Sequence, residues 1–433
     1  MPARTTITTM PPHHHPAPHA VNHLTRRWSR TVDPAHGTVF AAPGLWPLLA
    51  LLASGATGPA REELEEALGL PAADAAPAAR ELLAHLRTVP GLGAALGVWT
   101  GHGVPVRPEW AAGLPEGTHG TLTGDPDTDR AALAAWAHAH TDGLADAPPT
   151  GPAADLRMLL ASAVSLRTTW TEPFQETRFR TTDGPWAGRD WHGLFRRTPR
   201  HDRVRVADTP AGPLTLARIG GDAGVDVHLV LGAPDARPGD VLAHGTAAAT
   251  GALPSTTGDR FGTGSPGPGL TVSTVESPYP EPQLDLSTVA FGVRAEHDLL
   301  RPATPFGLDT ARDARTGHFP GISTTPLAVG SARQNALAEF HALGFRAAAG
   351  TALAMVGAGL PKVRHRVRRV RADFDRPFGF LAVHRAGGLV LAAGWVAEPA
   401  PYPAEGVGRF RRRRVGPVTG RGLLPPRGPL APR

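Results

Sequence analysis

The stretch Leu156 to Trp170, LRMLLASAVSLRTTW, holds a continuous apolar run of strand length. A strand with no polar face has no side to show to water, so the run predicts a central strand buried on both faces. A chain built around such a strand needs cover above and below it, and with 41% hydrophobic residues in 433 this one can supply a sizeable core. That composition excludes a fully disordered reading for most of the chain.

Other elements order around that strand. VNHLTRRWSRTV, from Val21, has apolar residues at helical spacing. LWPLLALLASGATGPAREELEEALGL predicts a buried helix, a turn at Gly55 to Gly58, and an amphipathic helix from about Pro59, where Glu62 and Glu63 suit the positive end of the dipole. AALGVWTGHGVPVRPEWAAGL predicts a strand and then a helix from Pro108, and DTDRAALAAWAHAHTDGLADAPP a helix with an Asp start and a Gly143 stop. RVRVADTPAGPLTLARI and VDVHLVLGAPD predict strands separated by turn residues, and PFGFLAVHRAGGLVLAAGWV a hairpin turning on Gly387 and Gly388. Helices come first and strands dominate later, the pattern of an α+β domain with large sheets. Residues 1–20 predict a disordered Pro/His-rich leader, 21–400 the folded domain, and 401–433 a disordered Arg/Pro/Gly-rich tail.

Several functions are excluded by residue type. The chain has no Cys, which removes disulfides, thiol nucleophiles and Cys-based metal sites. Lys362 is the single Lys among 44 cations, and LPKVR offers neither a phosphate loop nor a Schiff-base setting. No nucleophile elbow, zinc-protease helix or dinucleotide fingerprint occurs. His138, His140 and His201 are scattered without nucleophile or acid partners, so no enzyme activity, metal or cofactor is expected. The last 33 residues, Pro401 to Arg433, hold eight Arg and one Glu, a contribution of +7 to a net charge of +6. The body is therefore close to neutral, and no specific nucleic-acid partner is expected. No 18-residue apolar run predicts a membrane span, and MPARTTITTMPPHHHPAPHA lacks the form of a secretion signal, so the literal expectation is cytoplasmic.

From Val21 to about Pro399 the order of these pieces resembles the serpins. LAAWAHAHTDGLADA is similar to the helix that crosses their main sheet, and LLASAVSLRTTWTEPF to the main sheet's third strand and the region where the sheet opens. HFPGISTTPLAVGSARQNALAEF resembles the stretch leading to the reactive loop, and DFDRPFGFLAVHRAGGLVLAAGWVAEP the family's C-terminal signature, with Pro377, Phe378, Gly394 and Pro399 in place. The resemblance, read as that of a divergent bacterial-type member, implies a single-domain fold. Helices pack on a large mixed five-stranded main sheet, with two smaller sheets and an exposed reactive loop at about 344–371. It also implies a monomer, an inhibitor of serine endopeptidases, and an extracellular setting as an alternative to the cytoplasm.

In that family a protease attacks the loop as a substrate, and the cut loop inserts into the main sheet and traps the acyl-enzyme. The hinge corresponds to Gly344, Phe345, Arg346, Ala347, Ala348, Ala349, Gly350 and Thr351, of which all but Phe345 and Arg346 match the family's small residues. Two departures stand out. Phe345 and Arg346 replace the usual Thr or Ser and Glu. Strand alternation turns Phe345 inward, where an oversized side chain entering a packed core costs about 1–3 kcal/mol and slows insertion. In the sheet-opening region, near Trp170, the family's serine cluster is replaced by Gly44, Trp46 and Pro47. Compensation of those lost hydroxyls by Phe345 is one hypothesis; a non-inhibitory, chaperone-like or carrier role is the alternative reading that Phe345 supports.

Family spacing from the hinge places the scissile bond at Ala358 and Gly359, which suits subtilisin-like or elastase-like proteases with shallow or apolar pockets. Counting back from Phe374 points instead to Lys362, Arg364 or Arg366, which suit trypsin-like proteases. With the bond at Ala358, the run KVRHRVRRVR acts as an electrostatic guide for an acidic protease surface, or is simply a solvated edge strand.

Overall fold

The computed structural model describes residues 16–141, 152–302, 304–345 and 364–403, and the compact body runs to Tyr402. In chain order the first half is helical. α1 (Pro16–Ser29) precedes β1 (Thr38–Phe40), then α2 (Trp46–Ala53), α3 (Gly58–Leu68) and α4 (Ala72–Leu86), followed by β2 (Leu92–Thr100), α5 (Pro108–Ala112), β3 (His119–Thr121) and α6 (Pro126–His140). Strands then take over: β4 (Met158–Leu166), β5 (Thr168–Thr169), β6 (Gln175–Phe179), β7 (Trp191–Thr198), β8 (Val204–Ala207), β9 (Leu214–Gly220) and β10 (Val225–Leu231). After α7 (Pro238–Ala249) come β11 (Thr256–Thr257), β12 (Leu270–Ser277), β13 (Gln283–Val289), β14 (Phe291–Asp298), β15 (Ser331–Phe340), β16 (Gly344–Phe345), β17 (His365–Asp373), β18 (Phe378–His384) and β19 (Val390–Val396).

Local chemistry accounts for most of these boundaries. Asp125 caps α6 by accepting a hydrogen bond from the Thr128 N–H at 2.8 Å, and Pro126 follows at the first helical position. Gly69 ends α3 in the left-handed region at φ 68°, a backbone that a Cβ would disfavour. Gly388, at φ 64°, closes the β18–β19 hairpin as its sequence predicts. One boundary is earlier than expected: α1 begins at Pro16, so residues 16–20 are helical rather than part of a disordered leader. Ala17 and Ala20 are buried on the same stripe as Val21, Leu24 and Trp28, and that contact with the core outweighs the Pro/His composition.

Three sheets form. The main sheet has five principal strands in the order β3-β2-β4-β15-β14, with the short β16 and β5 continuing beside β15. It is mixed, since β2–β3 and β4–β15 are parallel and the remaining pairs antiparallel. A second sheet, β1-β19-β18-β10-β9-β8-β11, has seven shorter strands and packs against α7. The third is β12-β17-β13-β7-β6. β4 is central and largely buried, as its apolar run predicts, and its even-numbered residues face the main core together with those of β15. No described helix is long and apolar enough to cross a membrane.

Candidate functional site: an open seam and the root of a loop

β4 and β15, the two central strands of the main sheet, pair in parallel register from Leu159 opposite Ser331 to Val164 opposite Ala336, and there the ladder ends. Their outer neighbours continue: β2 follows β4 up to Leu166, and β14 follows β15 up to Phe340. The flanks are therefore zipped to the top while the centre is not, leaving backbone donors and acceptors of 165–166 and 337–340 turned toward a gap. Gly344 and Phe345 enter that gap. β16 lies antiparallel to β15, with Phe345 opposite Phe340. It is also antiparallel to β5, the continuation of β4, with Gly344 opposite Thr169 and Phe345 opposite Thr168.

Trp170 fixes the turn that delivers β16. Its indole Nε1 donates to the His341 carbonyl at 2.8 Å and its backbone N–H to the Leu343 carbonyl at 2.9 Å, while Phe174 N–H donates to Ala342 at 2.8 Å. Phe345 is 1% exposed and tilts against Phe380 at 6.2 Å between ring centroids. Phe380 meets Phe291 at 5.1 Å, Phe291 stacks on Phe340 at 5.1 Å, and Phe340 reaches Trp170 at 4.9 Å and Phe174 at 5.7 Å. The Arg196 guanidinium lies 4.6 Å over the Phe174 ring, and burial pulls its pKa down to about 10 against the attraction of Glu172. The expectation that Phe345 would have to force its way into the core is thus altered: its ring is already inside, among aromatic side chains gathered from three strands and the loop after β5.

Beneath the paired part of the seam is one polar rung. Gln334 of β15 is fully buried; its Nε2 donates to the Ala41 carbonyl at 2.9 Å and to Ser162 Oγ of β4 at 3.2 Å, and its Oε1 accepts from Ala41 N–H at 2.7 Å. Gly44 lies directly below. A Cβ there would sit 2.6 Å from both Ser162 Oγ and Val164 Cγ2, so serine does not fit and the polar function has moved up into the strands. Trp46 is buried and donates its Nε1 to the Leu68 carbonyl at 3.1 Å. Compensation of the missing hydroxyls by Phe345 is not seen, because its ring neighbour is Phe380 and the hydroxyl and amide come from Ser162 and Gln334. Both residues went unread in the sequence, although each interrupts an otherwise apolar inward face.

On the other side of the seam, α6 crosses the sheet. Leu133, Trp136 and Ala137 of the helix roof a cavity of about 270 Å³ whose floor includes Ala161 and Ala163 of β4 and Arg333 and Asn335 of β15. The space lies over the line where β4 and β15 meet.

Of the remaining residues singled out in the sequence, Arg346, Ala347, Ala348, Ala349, Gly350, Thr351, Ala358, Gly359 and Lys362 lie outside the described residues. Gly143 does too, and the α6 boundary observed is the Thr141 cap. Arg364 is exposed and pairs with Glu276 at 3.1 Å. Arg366 corrects an expectation: it sits within β17, opposite Glu276 of β12, so a bait bond there would have to be pulled out of a hydrogen-bonded ladder. Nor is the described part of KVRHRVRRVR a bare edge throughout: β17 pairs with β12 from His365 to Ala372, and β13 joins its other side from Arg369 onward. His201 is a satisfied core histidine, bonded through Nε2 to the Gln283 carbonyl at 2.9 Å.

The family model described as Serpin (serine protease inhibitor) matches residues 21–185. Serpin-Z6C of rice (Oryza sativa subsp. japonica) is 26% identical over 399 residues, covering 84% of this chain and 91% of that protein. Serpin48 of the insect Tenebrio molitor superposes with a TM-score of 0.63 at 17% identity, covering 89% and 99% of the two chains. Human thyroxine-binding globulin, solved with its thyroid hormone ligand, gives 0.65 at 16% identity over 89% and 98%. The curated relatives are plant proteins and lend no support to a bacterial-type subclass.

Proposed function

We infer that the chain is a serpin, from the family model, the rice relative and the solved structures that it resembles, and we propose that it is a suicide-substrate inhibitor of serine endopeptidases whose cut loop enters the main sheet. Proteins of the family are protease inhibitors rather than enzymes, and β16 is the observation that carries the finer reading. Gly344 and Phe345 already occupy the first rung of a strand antiparallel to both central neighbours. Continuing that register in steps of two from Phe345, with Phe340 on one side and Thr168 on the other, sets Ala347 between Ala338 and Leu166. Ala349 then falls between Ala336 and Val164, Thr351 between Gln334 and Ser162, and Leu353 between Ala332 and Leu160. The inward residues stay small until Leu353, and the one hydroxyl among them reaches the polar rung. Outward, after Arg346, come Ala348, Gly350, Ala352 and Ala354, small enough to pass beneath α6 where the cavity lies.

The driving force follows from the same register. New backbone hydrogen bonds contribute about 0.5–1.5 kcal/mol each, and buried Leu353 and Met355 about 1.5–3 kcal/mol each. A protease serine attacks the Ala358 carbonyl, its histidine passes the proton to the departing Gly359 amine, and the acyl-enzyme stays attached to the end of the inserting strand. Strand growth down the seam carries the protease away before water completes the second half-reaction. Small residues flanking this bond fit subtilisin-like or elastase-like enzymes; Lys362 and Arg364 leave a trypsin-like target as the variant of the same reading. The anchoring of Phe345 favours a second reading, a binding protein whose loop root stays fixed.

Incubation with a panel of these proteases should give a complex that survives detergent, with release of a C-terminal fragment beginning at Gly359 by mass spectrometry. Clean cleavage without a complex, turning to complex formation only in Phe345→Thr, would establish the second reading instead.

A further inference from the structure

A basin of about 380 Å³ opens between the loop after β5, the 3-10 turn before β8, and strands β9, β10 and the β18–β19 turn. It is lined by Thr171, Glu172, Arg200, Arg203, Arg218, Gly220, Asp226 and Arg385. Four guanidinium groups thus face two carboxylates. Counting Asp202, which the wall residues also engage, and the adjacent Arg196 and Arg205, six cations stand against three anions. Such an excess is repulsive unless solvent or a ligand offsets it.

Existing pairs leave a specific remainder. Asp226 is taken by Arg385 at 2.6 Å, and Asp202 by Arg218 at 3.0 Å and Arg200 at 3.3 Å. Arg203 is the residue left over. It is only 14% exposed, its nearest carboxylate is Glu172 at 3.6 Å, and its Nε is buried with no hydrogen-bond partner. Its Nη1 lies 2.8 Å from the place a Cβ on Gly220 would occupy, so the guanidinium lies close against the Gly220 backbone. The guanidinium donors that Arg203 turns to this basin form a fixed fork that matches the oxygens of a tetrahedral oxyanion.

We propose that this basin binds a phosphate or sulfate group, with Arg203 as its central contact and Arg200 and Arg218 at its rim. The proposal is independent of the trapping reaction. The full chain is titrated with sodium phosphate, sodium sulfate and glucose 6-phosphate against sodium chloride of equal ionic strength, following heat and melting temperature. Expected are saturable binding of at least one oxyanion over chloride, weakened about tenfold or more by Arg203→Gln and less by Arg200→Gln, and unchanged in Arg237→Gln, an exposed arginine just before α7. Binding of the inorganic ions alone identifies a free anion as the source, and tighter binding of the ester a phosphorylated small molecule. Because Arg200 is half exposed, its variant keeps the test readable if Arg203→Gln is poorly folded. Oxyanion binding no stronger than chloride, or binding of equal strength in Arg203→Gln, Arg200→Gln and Arg237→Gln, would overturn the site.

Discussion

β18 and β19 pair from Phe378 opposite Val396 to Val383 opposite Val390, joined by one tight turn and closed on the outside by β10 and β1. β4 and β15 also lie side by side at the centre of a sheet, yet their parallel ladder stops at Val164 and Ala336. Almost every residue of the hairpin is buried apolar surface, whereas the seam rests on the Gln334–Ser162 rung and on small residues. Parallel pairing between strands distant in the chain requires closing a long loop, and its hydrogen bonds are slightly weaker per residue than antiparallel ones. One pair has no free backbone edge left to take another strand; the other keeps an open upper end.

Cutting the chain at Ala358–Gly359 should separate the two regions most strongly. With roughly ten new backbone bonds at about 1 kcal/mol each, against an unfolding entropy of about 0.8 kcal/mol/K for a domain of this size, the melting temperature should rise by roughly 10 °C or more. Cleavage that leaves the melting temperature unchanged in calorimetry would mean the seam is as closed as the hairpin. Next is Gly394→Ala in β19, where a Cβ would lie 2.4 Å from both the Phe380 ring and the Thr38 carbonyl. It should cost about 3 kcal/mol in denaturant melts of intact and cleaved protein alike, since neither form has slack there.

Gln334→Leu removes the polar rung and strands the Ala41 N–H and carbonyl, at an expected cost of about 2–3 kcal/mol in the intact form. Its sharper signature is faster uptake of a synthetic peptide matching residues 345–356, measured by a mobility shift on native gels; an unchanged rate would show that the rung does not hold the seam. The smallest effect concerns the hairpin's side of the molecule. His228 of β10, opposite Leu381 of β18, has its pKa pushed down to about 3, first by burial and then by Arg205. It must fold neutral, so stability is complete above the unfolded value near 6.5 and falls as pH drops toward 3. Between pH 6.5 and 5 this amounts to about 2 kcal/mol, and His228→Leu should flatten that part of the profile.

Much of this was readable in local pattern. The apolar run at 158–166 announced a central strand, the Asp start of DTDRAALAAWAH announced α6 two residues after its observed Asp125 cap, and the RAGG turn announced the hairpin. The Phe345 problem was not readable correctly, because Phe291, Phe340 and Phe380 come from three separate strands and nothing in their spacing says that they converge. The same holds for Arg366. A basic run reads as exposed, but a strand laddered along β12, with β13 joining from Arg369, is just as compatible with alternating Arg and Val.

The amino-acid order alone determined which segments are helical or extended, where turns fall, and that the residues after Phe345 are small, since each depends on neighbours within a few positions. Tertiary structure decided that β15 lies beside β4 in a register that runs out early, that Phe345 is already housed, and that the Nε of Arg203 is buried without a hydrogen-bond partner. Those outcomes depend on pairing and charge between segments remote in the chain, and are set only when the sheets close.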